Sequence, residues 1–301
     1  MEVLGRGRFA IVKKVNNLAV KTIYTDDQVL PHNWRAEVAA LNNVRSPNVI
    51  TAENVLEKLE IMEPYVAISM QLLSYTLEAV IYQNAKANFP ANTGFRNAMP
   101  LDRATQIING IANGLTAIHA QGIIHRDLKP ENIMFLKSSD VSASYNPIII
   151  DFGIAYVPGV SKEEFNEKIT QISTNEYKSP EALYGVKNYT EKVDIWALGC
   201  LLARLLNPDC TPLFTPYTSE IGLVLAQKSE LGPPDLNNCP SLSGCLSPCW
   251  EGTKKPGVLD AITAKFEKEP NAKTLVSLMF KMLDFEWTNR PSAEEIVNTL
   301  N

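Results

Sequence analysis

Basic charge is in short supply in this chain of 301 residues: 28 Lys and Arg stand against 33 Asp and Glu, for a formal net charge of -5. Without a basic excess there is no general field to draw nucleic acid or an anionic membrane, so any phosphate-bearing ligand has to be gripped locally. No apolar run reaches the length of a membrane-spanning helix, and "MEVLGRGRFA" at the start has no hydrophobic block of signal-peptide type. An intracellular location, cytoplasmic or nuclear, is therefore expected, with neither membrane nor nucleic acid as partner. Cysteine is sparse too: five residues, an odd number, and no C-x-x-C pair, which excludes a disulfide framework. Cys239, Cys245 and Cys249 gather in "LNNCPSLSGCLSPCW", but their spacing fits no zinc pattern and they read as loop thiols. Internal repeats and low-complexity tracts are absent.

What is present is a 45% hydrophobic chain long enough for one large domain or two lobes sharing an interface. Residues 1–70 carry short β-type runs, "AIVKKV", "LAVKTI", "NVITAENVL" and "YVAISM", interrupted by one helical stretch, "WRAEVAALNNV", with Asn33 as its cap. From about residue 75 the spacing turns helical. "TLEAVIYQNAK" and "LDRATQIINGIANGLTAIHAQG" predict helices, the second ending at Gly122, with breaker-rich surface loops at 84–100 and 231–257. "EKVDIWALGCLLARLL" is apolar almost all round and predicts a buried helix, within which Asp194 must find donors. Ser292 and Glu295 predict a capping box on the last helix.

Two polar clusters between short β-type runs carry the chemistry: "IIHRDLKPENIMF" at 123–135 and "IIIDFGIA" at 148–155. They bring Asp127, Lys129, Asn132 and Asp151 to one end of two apolar runs, a set of acids, an amide and an ammonium that suits Mg²⁺ and phosphate. Any one of these residues alone would read as part of a polar loop.

Together they resemble the catalytic loop and Asp-Phe-Gly segment of the protein kinases, almost letter for letter. The resemblance runs from the Gly-rich start to Arg290. It implies an α+β, bilobal fold: a small antiparallel sheet with one helix at 1–70, a hinge at 71–75 and a larger, mainly α lobe at 76–301. It implies ATP and Mg²⁺ as cofactors, Asp127 as acceptor of the substrate hydroxyl proton, Lys129 at the transferred phosphoryl, and Asn132 and Asp151 as Mg²⁺ ligands. Lys129 marks the Ser/Thr type. Lys21 of "LAVK" would meet the α and β phosphates, paired with Glu37 on the inward stripe of the following helix. Gly5 and Gly7 of "LGRGRFAIV" match the Gly-rich loop, and Ala10 stands at its third glycine. Ala19, the gatekeeper Met70, and hinge residues Gln71, Leu72 and Leu73 would enclose the adenine. Glu181 is expected to pair with Arg290, and Asp194 to hold the backbone of the His-Arg-Asp turn.

"YKSPEALYGVKNYTEKVDIWALGCLLARLL" and "LGPPD" resemble the branch of cyclin-dependent kinases, but "LPHNWRAE" is unlike the sequence by which those kinases grip a cyclin. In this stretch, in "IIDFGI", in "ISTNEYKSPE" and in "GVKNY", the chain is similar to the monomeric Cdk-activating kinases of budding yeasts. That resemblance implies a monomer that phosphorylates cyclin-dependent kinases on the activation-segment threonine and needs no cyclin. Another kinase of the branch with other substrates, or a pseudokinase scaffold, remains as an alternative; a scaffold should have lost Lys21, Asp127 or Asp151. By the same resemblance Thr174 is a clamp on Asp127 and Lys129, and Ile154 implies a preference for threonine. Ile169 falls where the activating phosphothreonine would be. Of the three arginines that usually read it only Arg126 remains, with Ala36 and Tyr156 at the other positions. The segment is thus expected to be set without a phosphate, held by an acid such as Glu167 near Arg126; the rival is phosphorylated Thr170.

Overall fold

The computed structural model describes residues 2–26, 28–59, 62–87, 99–136, 145–163, 167–215, 219–235, 238–242 and 253–301. Of the two expected loops, 88–98 in the first and 236–237 and 243–252 in the second, with Cys245 and Cys249, lie outside these residues. Residues 84–87 belong to a helix. Cys239, the third thiol, is buried and free.

The β-type runs form an antiparallel sheet in the order β1-β2-β3-β5-β4, from β1 (Glu2–Arg6), β2 (Ala10–Val15), β3 (Leu18–Tyr24), β4 (Ala52–Lys58) and β5 (Tyr65–Gln71). β3 lies in the middle, with Lys21 opposite Val12 on one side and Ile68 on the other. One helix, α1 (Trp34–Asn43), crosses this sheet; Asn33 caps it by accepting from the Arg35 and Ala36 amides. The run expected as a strand from Asn48 starts pairing only at Ala52. Its first residues bond instead to the larger lobe, where the Ile50 amide donates to the Ile149 carbonyl. That apolar stretch is a brace between lobes, and for this reason it does not complete a strand.

β5 ends at Gln71, and β6 (Tyr75–Thr76) pairs with β7 (Ile133–Phe135), which pairs with β8 (Ile148–Ile149). α2 (Leu77–Ala87) and α3 (Leu101–His119) pack on this small sheet, and the rest of the larger lobe is built from α4 (Pro180–Leu183), α5 (Lys192–Leu206), α6 (Glu220–Leu231), α7 (Val258–Phe266), α8 (Pro270–Met282) and α9 (Ala293–Leu300). α3 stops where expected, and Gly122 takes φ +67, open to a residue without a side chain. In α5 every residue but Lys192 and Arg204 is buried, which explains its apolar sequence. α9 has the capping box of Ser292 and Glu295. Glu181 and Arg290 form a two-pronged pair at 2.6 and 2.8 Å with neither side chain exposed, tying α4 to the segment before α9.

Candidate active site

A cleft of about 520 Å³ opens between the two sheets. Ala19 faces Met70 across the β3–β5 register, and with Gln71, Leu72 and Leu73 they form one wall; Gly5 and Gly7 border the other side. Sequence reasoning missed Gln28 and His32, which line the same cleft. They come from the irregular link between β3 and α1, where no periodicity announces an inward side chain.

Lys21 reaches from β3 to Glu37 on α1 at 2.5 Å and to Asp151 at 2.7 Å. Burial alone would lower this ammonium's pKa, but the two carboxylates outweigh it and hold the group above its ordinary value. Lys21 in turn holds the Asp151 carboxyl well below the usual carboxylate range, so it stays ionised. Asp151 itself takes φ +63, an uncommon conformation for a residue with a side chain and one that costs about 1–3 kcal/mol.

In the catalytic-loop stretch Asp127 is held on both oxygens. Oδ2 accepts from Lys129 Nζ at 2.7 Å and Asn132 Nδ2 at 3.0 Å, and Oδ1 accepts from the Thr174 hydroxyl at 3.0 Å and its amide at 3.1 Å. Lys129 also donates to Thr174 Oγ1 at 2.9 Å, so acid, amine and hydroxyl form a closed triangle. Asp194 rises from buried α5 to accept from the His125 and Arg126 amides at 2.9 Å each, and meets His119 Nε2 at 2.9 Å. Burial would raise its pKa, but these donors prevail and hold it below the ordinary value. The His125 ring bridges Asp127 N and the Ile150 carbonyl, an arrangement that asks for the Nε2–H tautomer.

The residues expected to hold Mg²⁺ fit it by donor chemistry. Asn132 spends its amide nitrogen on Asp127, and its Oδ1 meets no protein donor among the described residues. Asp151 likewise keeps Oδ2, beside the cleft, without a hydrogen bond to any of the described residues. Among the described residues no group of three or more His, Cys, Asp and Glu could hold a metal alone. Two oxygens suit a magnesium ion that takes its remaining ligands from phosphate and water.

Residues 1–300 match the family model described as protein kinase domain. The chain is a protein kinase. It is 27% identical to cyclin-dependent kinase 7 of Dictyostelium discoideum, over 98% of this chain and 73% of that one. To serine/threonine-protein kinase CAK1 of Saccharomyces cerevisiae it is 27% identical over 88% of this chain and 79% of the relative. Cyclin-dependent kinase 8 of Caenorhabditis elegans is 26% identical, and there the chain spans about half of the relative's length, 54%. The chain is thus a serine/threonine kinase of the cyclin-dependent-kinase branch that resembles CAK1.

The activation segment of this kinase departs from expectation in one particular. Glu167 lies at the surface and pairs with Lys187 at 2.8 Å, both side chains more than half exposed. The acid on Arg126 is Glu163, whose two oxygens accept from Nη1 and Nη2 at 2.8 Å each. "SKEEFNEK" offers three acids in five positions with no periodicity, so the sequence could not choose among them. Ser173 was also missed: with φ +64, its hydroxyl donates to the Arg126 carbonyl.

Proposed function

We propose that this kinase uses ATP and Mg²⁺ to phosphorylate the activation-segment threonine of cyclin-dependent kinases, and that it works as a monomer without a cyclin. The observation that carries this reading is how α1 is held. The Asn33 amide donates to the Gly153 carbonyl at 3.1 Å, the Trp34 amide to Gln28 Oε1 at 2.8 Å, and the His32 ring lies 4.6 Å from that of Phe9. The chain itself therefore supplies contacts that keep Glu37 on Lys21, the task a partner would otherwise perform. The likeness to CAK1 supports the same reading. The intact set Lys21, Glu37, Asp127, Asn132 and Asp151 argues against a scaffold.

In this reading Asp127 accepts the proton of the incoming threonine hydroxyl, oriented for that by Asn132 and Thr174. Lys129, fixed by Asp127 and Thr174, stands ready to neutralise charge on the transferred group. Lys21 steadies the nucleotide's phosphates and Asn132 and Asp151 would hold Mg²⁺, while Gly5, Gly7, Ala19, Met70 and the hinge enclose the base. ATP with Mg²⁺ supplies the phosphoryl group when bound.

Incubation of the pure protein with ATP, Mg²⁺ and a catalytically dead cyclin-dependent kinase, followed by phosphosite mapping, tests this. One phosphothreonine in the substrate's activation segment is expected, at a rate unchanged by cyclin added to the enzyme. Asp127→Asn and Asp151→Asn should each slow transfer by at least ~10²-fold. Phosphate at other sites, or a requirement for cyclin, would favour the kinase of other substrates.

A further inference from the structure

Arg126 is among the most deeply buried side chains of the protein, 1% exposed, and it stands one residue before Asp127. A buried guanidinium needs a counter-charge, because an unpaired one costs several kcal/mol. Three of the groups around it are an acid and two aromatic rings. Glu163 grips both Nη atoms in the two-pronged geometry that suits a carboxylate, with its side chain only 6% exposed. Tyr156 and Tyr189 bring their rings to 5.3 and 5.5 Å of the guanidinium carbon. The same Glu163 then reaches forward: its Oε2 accepts from the Ile169 amide at 2.8 Å. One carboxylate thus joins the early part of the activation segment, the catalytic loop and the position that lacks a phosphorylatable side chain.

We propose that Glu163 is a positioning residue that does from within the chain what a phosphate on the activation segment would do, closing Arg126 against Ile169 and so holding Asp127 and Thr174 in register. The path to the chemistry is short. Arg126 takes φ +69, its carbonyl accepts from the Ser173 hydroxyl, and Thr174 follows with two hydrogen bonds to Asp127. Further supports anchor the neighbouring backbone: the Tyr189 hydroxyl donates to the Ile169 carbonyl at 2.7 Å, and buried Lys168 donates to the Tyr189 carbonyl at 2.8 Å. Lys168 also brings a second cation beside Arg126, and Glu163 is the acid that faces both. Loss of the Glu163 charge would take from the Arg126 guanidinium its two-pronged acid and from Lys168 one of the two acids, Glu163 and Glu191, that act on it.

The proposal rests on the kinase reading, and its test separates the two. The full chain, treated with phosphatase and shown by intact mass to carry no phosphate, is assayed as wild type, Glu163→Gln and Glu167→Gln. Glu163→Gln should lower kcat ~10- to 100-fold, the scale of lost hydrogen bonds between charged groups. Its KM for ATP should stay within about twofold, since neither Glu163 nor Arg126 lines the nucleotide cleft. Glu167→Gln should match wild type. Amide exchange on the unphosphorylated wild type reads the same contact without mutation: the Ile169 amide should be protected, and free exchange there would overturn the proposal. A wild type that turns over while Glu163→Gln keeps its kcat refutes the role of Glu163 alone. A wild type that is active before phosphatase treatment and inactive after it also refutes the role of Glu163, whereas a wild type that transfers nothing in either state refutes the kinase reading instead.

Discussion

Thr174 and Lys129 lie 2.9 Å apart, and each is bonded separately to Asp127, the threonine to one carboxylate oxygen and the lysine to the other. The hydroxyl is donor to the acid and acceptor from the amine at once, a double duty that methyl cannot perform. Thr174→Ala should therefore lower kcat by about 10- to 100-fold, the range for hydrogen bonds to charged groups, whereas Thr174→Ser should stay within a few-fold. Steady-state rates of both variants at saturating ATP make the comparison. A phosphosite at 174 would give the same order, but wild type and Thr174→Ser would both lose activity on phosphatase treatment; as a clamp, neither should.

Asp194 supplies a pH-dependent part of the stability. Its carboxyl is held below the ordinary value of 3.8 in the folded protein, so on acidification the unfolded chain takes up this proton first. The contribution is therefore fully present above about pH 4 and declines as pH falls through the folded-state value. Asp194→Asn leaves two backbone amides and His119 with a weaker acceptor and should lower the melting temperature at pH 7, with the gap to wild type narrowing in acid. A constant gap from pH 7 to pH 3 would reject this origin.

Two residues of the segment lead to an expectation for substrate choice. Ile154 packs beside the cluster of Ile124, Tyr156, Ile172 and Tyr189, a stiff β-branched side chain directly after Asp-Phe-Gly. One additional buried methyl contributes about 0.8 kcal/mol, so threonine should be preferred over serine about fourfold in kcat/KM on matched peptides. Lys178 stands where, by the kinase resemblance, proline-directed relatives mostly carry arginine, and it is committed elsewhere: its ammonium meets Glu220 at 2.9 Å and its carbonyl accepts from Gln227 at 2.9 Å. A proline after the target should thus be dispensable, with kcat/KM changed less than about threefold by its replacement with alanine, under ~1 kcal/mol. Strict dependence on that proline would contradict the assignment.

Residues whose roles follow from local pattern were legible in advance. Glu37 stands on the inward stripe of a helix, Asp194 in a stretch apolar all round, and Ser292 three residues before Glu295; each meets in the structure the kind of partner its place demanded. Glu163 was not legible. Its position depends on the turn in which the Ser161 amide donates to the Val157 carbonyl and its hydroxyl accepts from the Val157 amide, so that the following acid, and not Glu167, points back at Arg126. His32 and Gln28 escaped for the same reason, since the link that carries them has no period. The brace at Ile50 was read as strand because a β-type run looks the same whether it pairs along its own sheet or, as Asn48 and Ile50 do with Ile149, bonds briefly across a lobe boundary.

One unmodified chain should hold a complete kinase site. This is tested most directly by the turnover of phosphatase-treated, cyclin-free enzyme on a catalytically dead cyclin-dependent kinase, beside untreated enzyme and Thr170→Ala. With Arg126 already paired with Glu163, a phosphate at Thr170 would find that arginine occupied, and all three preparations should agree within about threefold, under ~1 kcal/mol of barrier. A ~100-fold loss on phosphatase treatment or in Thr170→Ala, about 2.7 kcal/mol, would show that a phosphate sets the segment and would contradict the account.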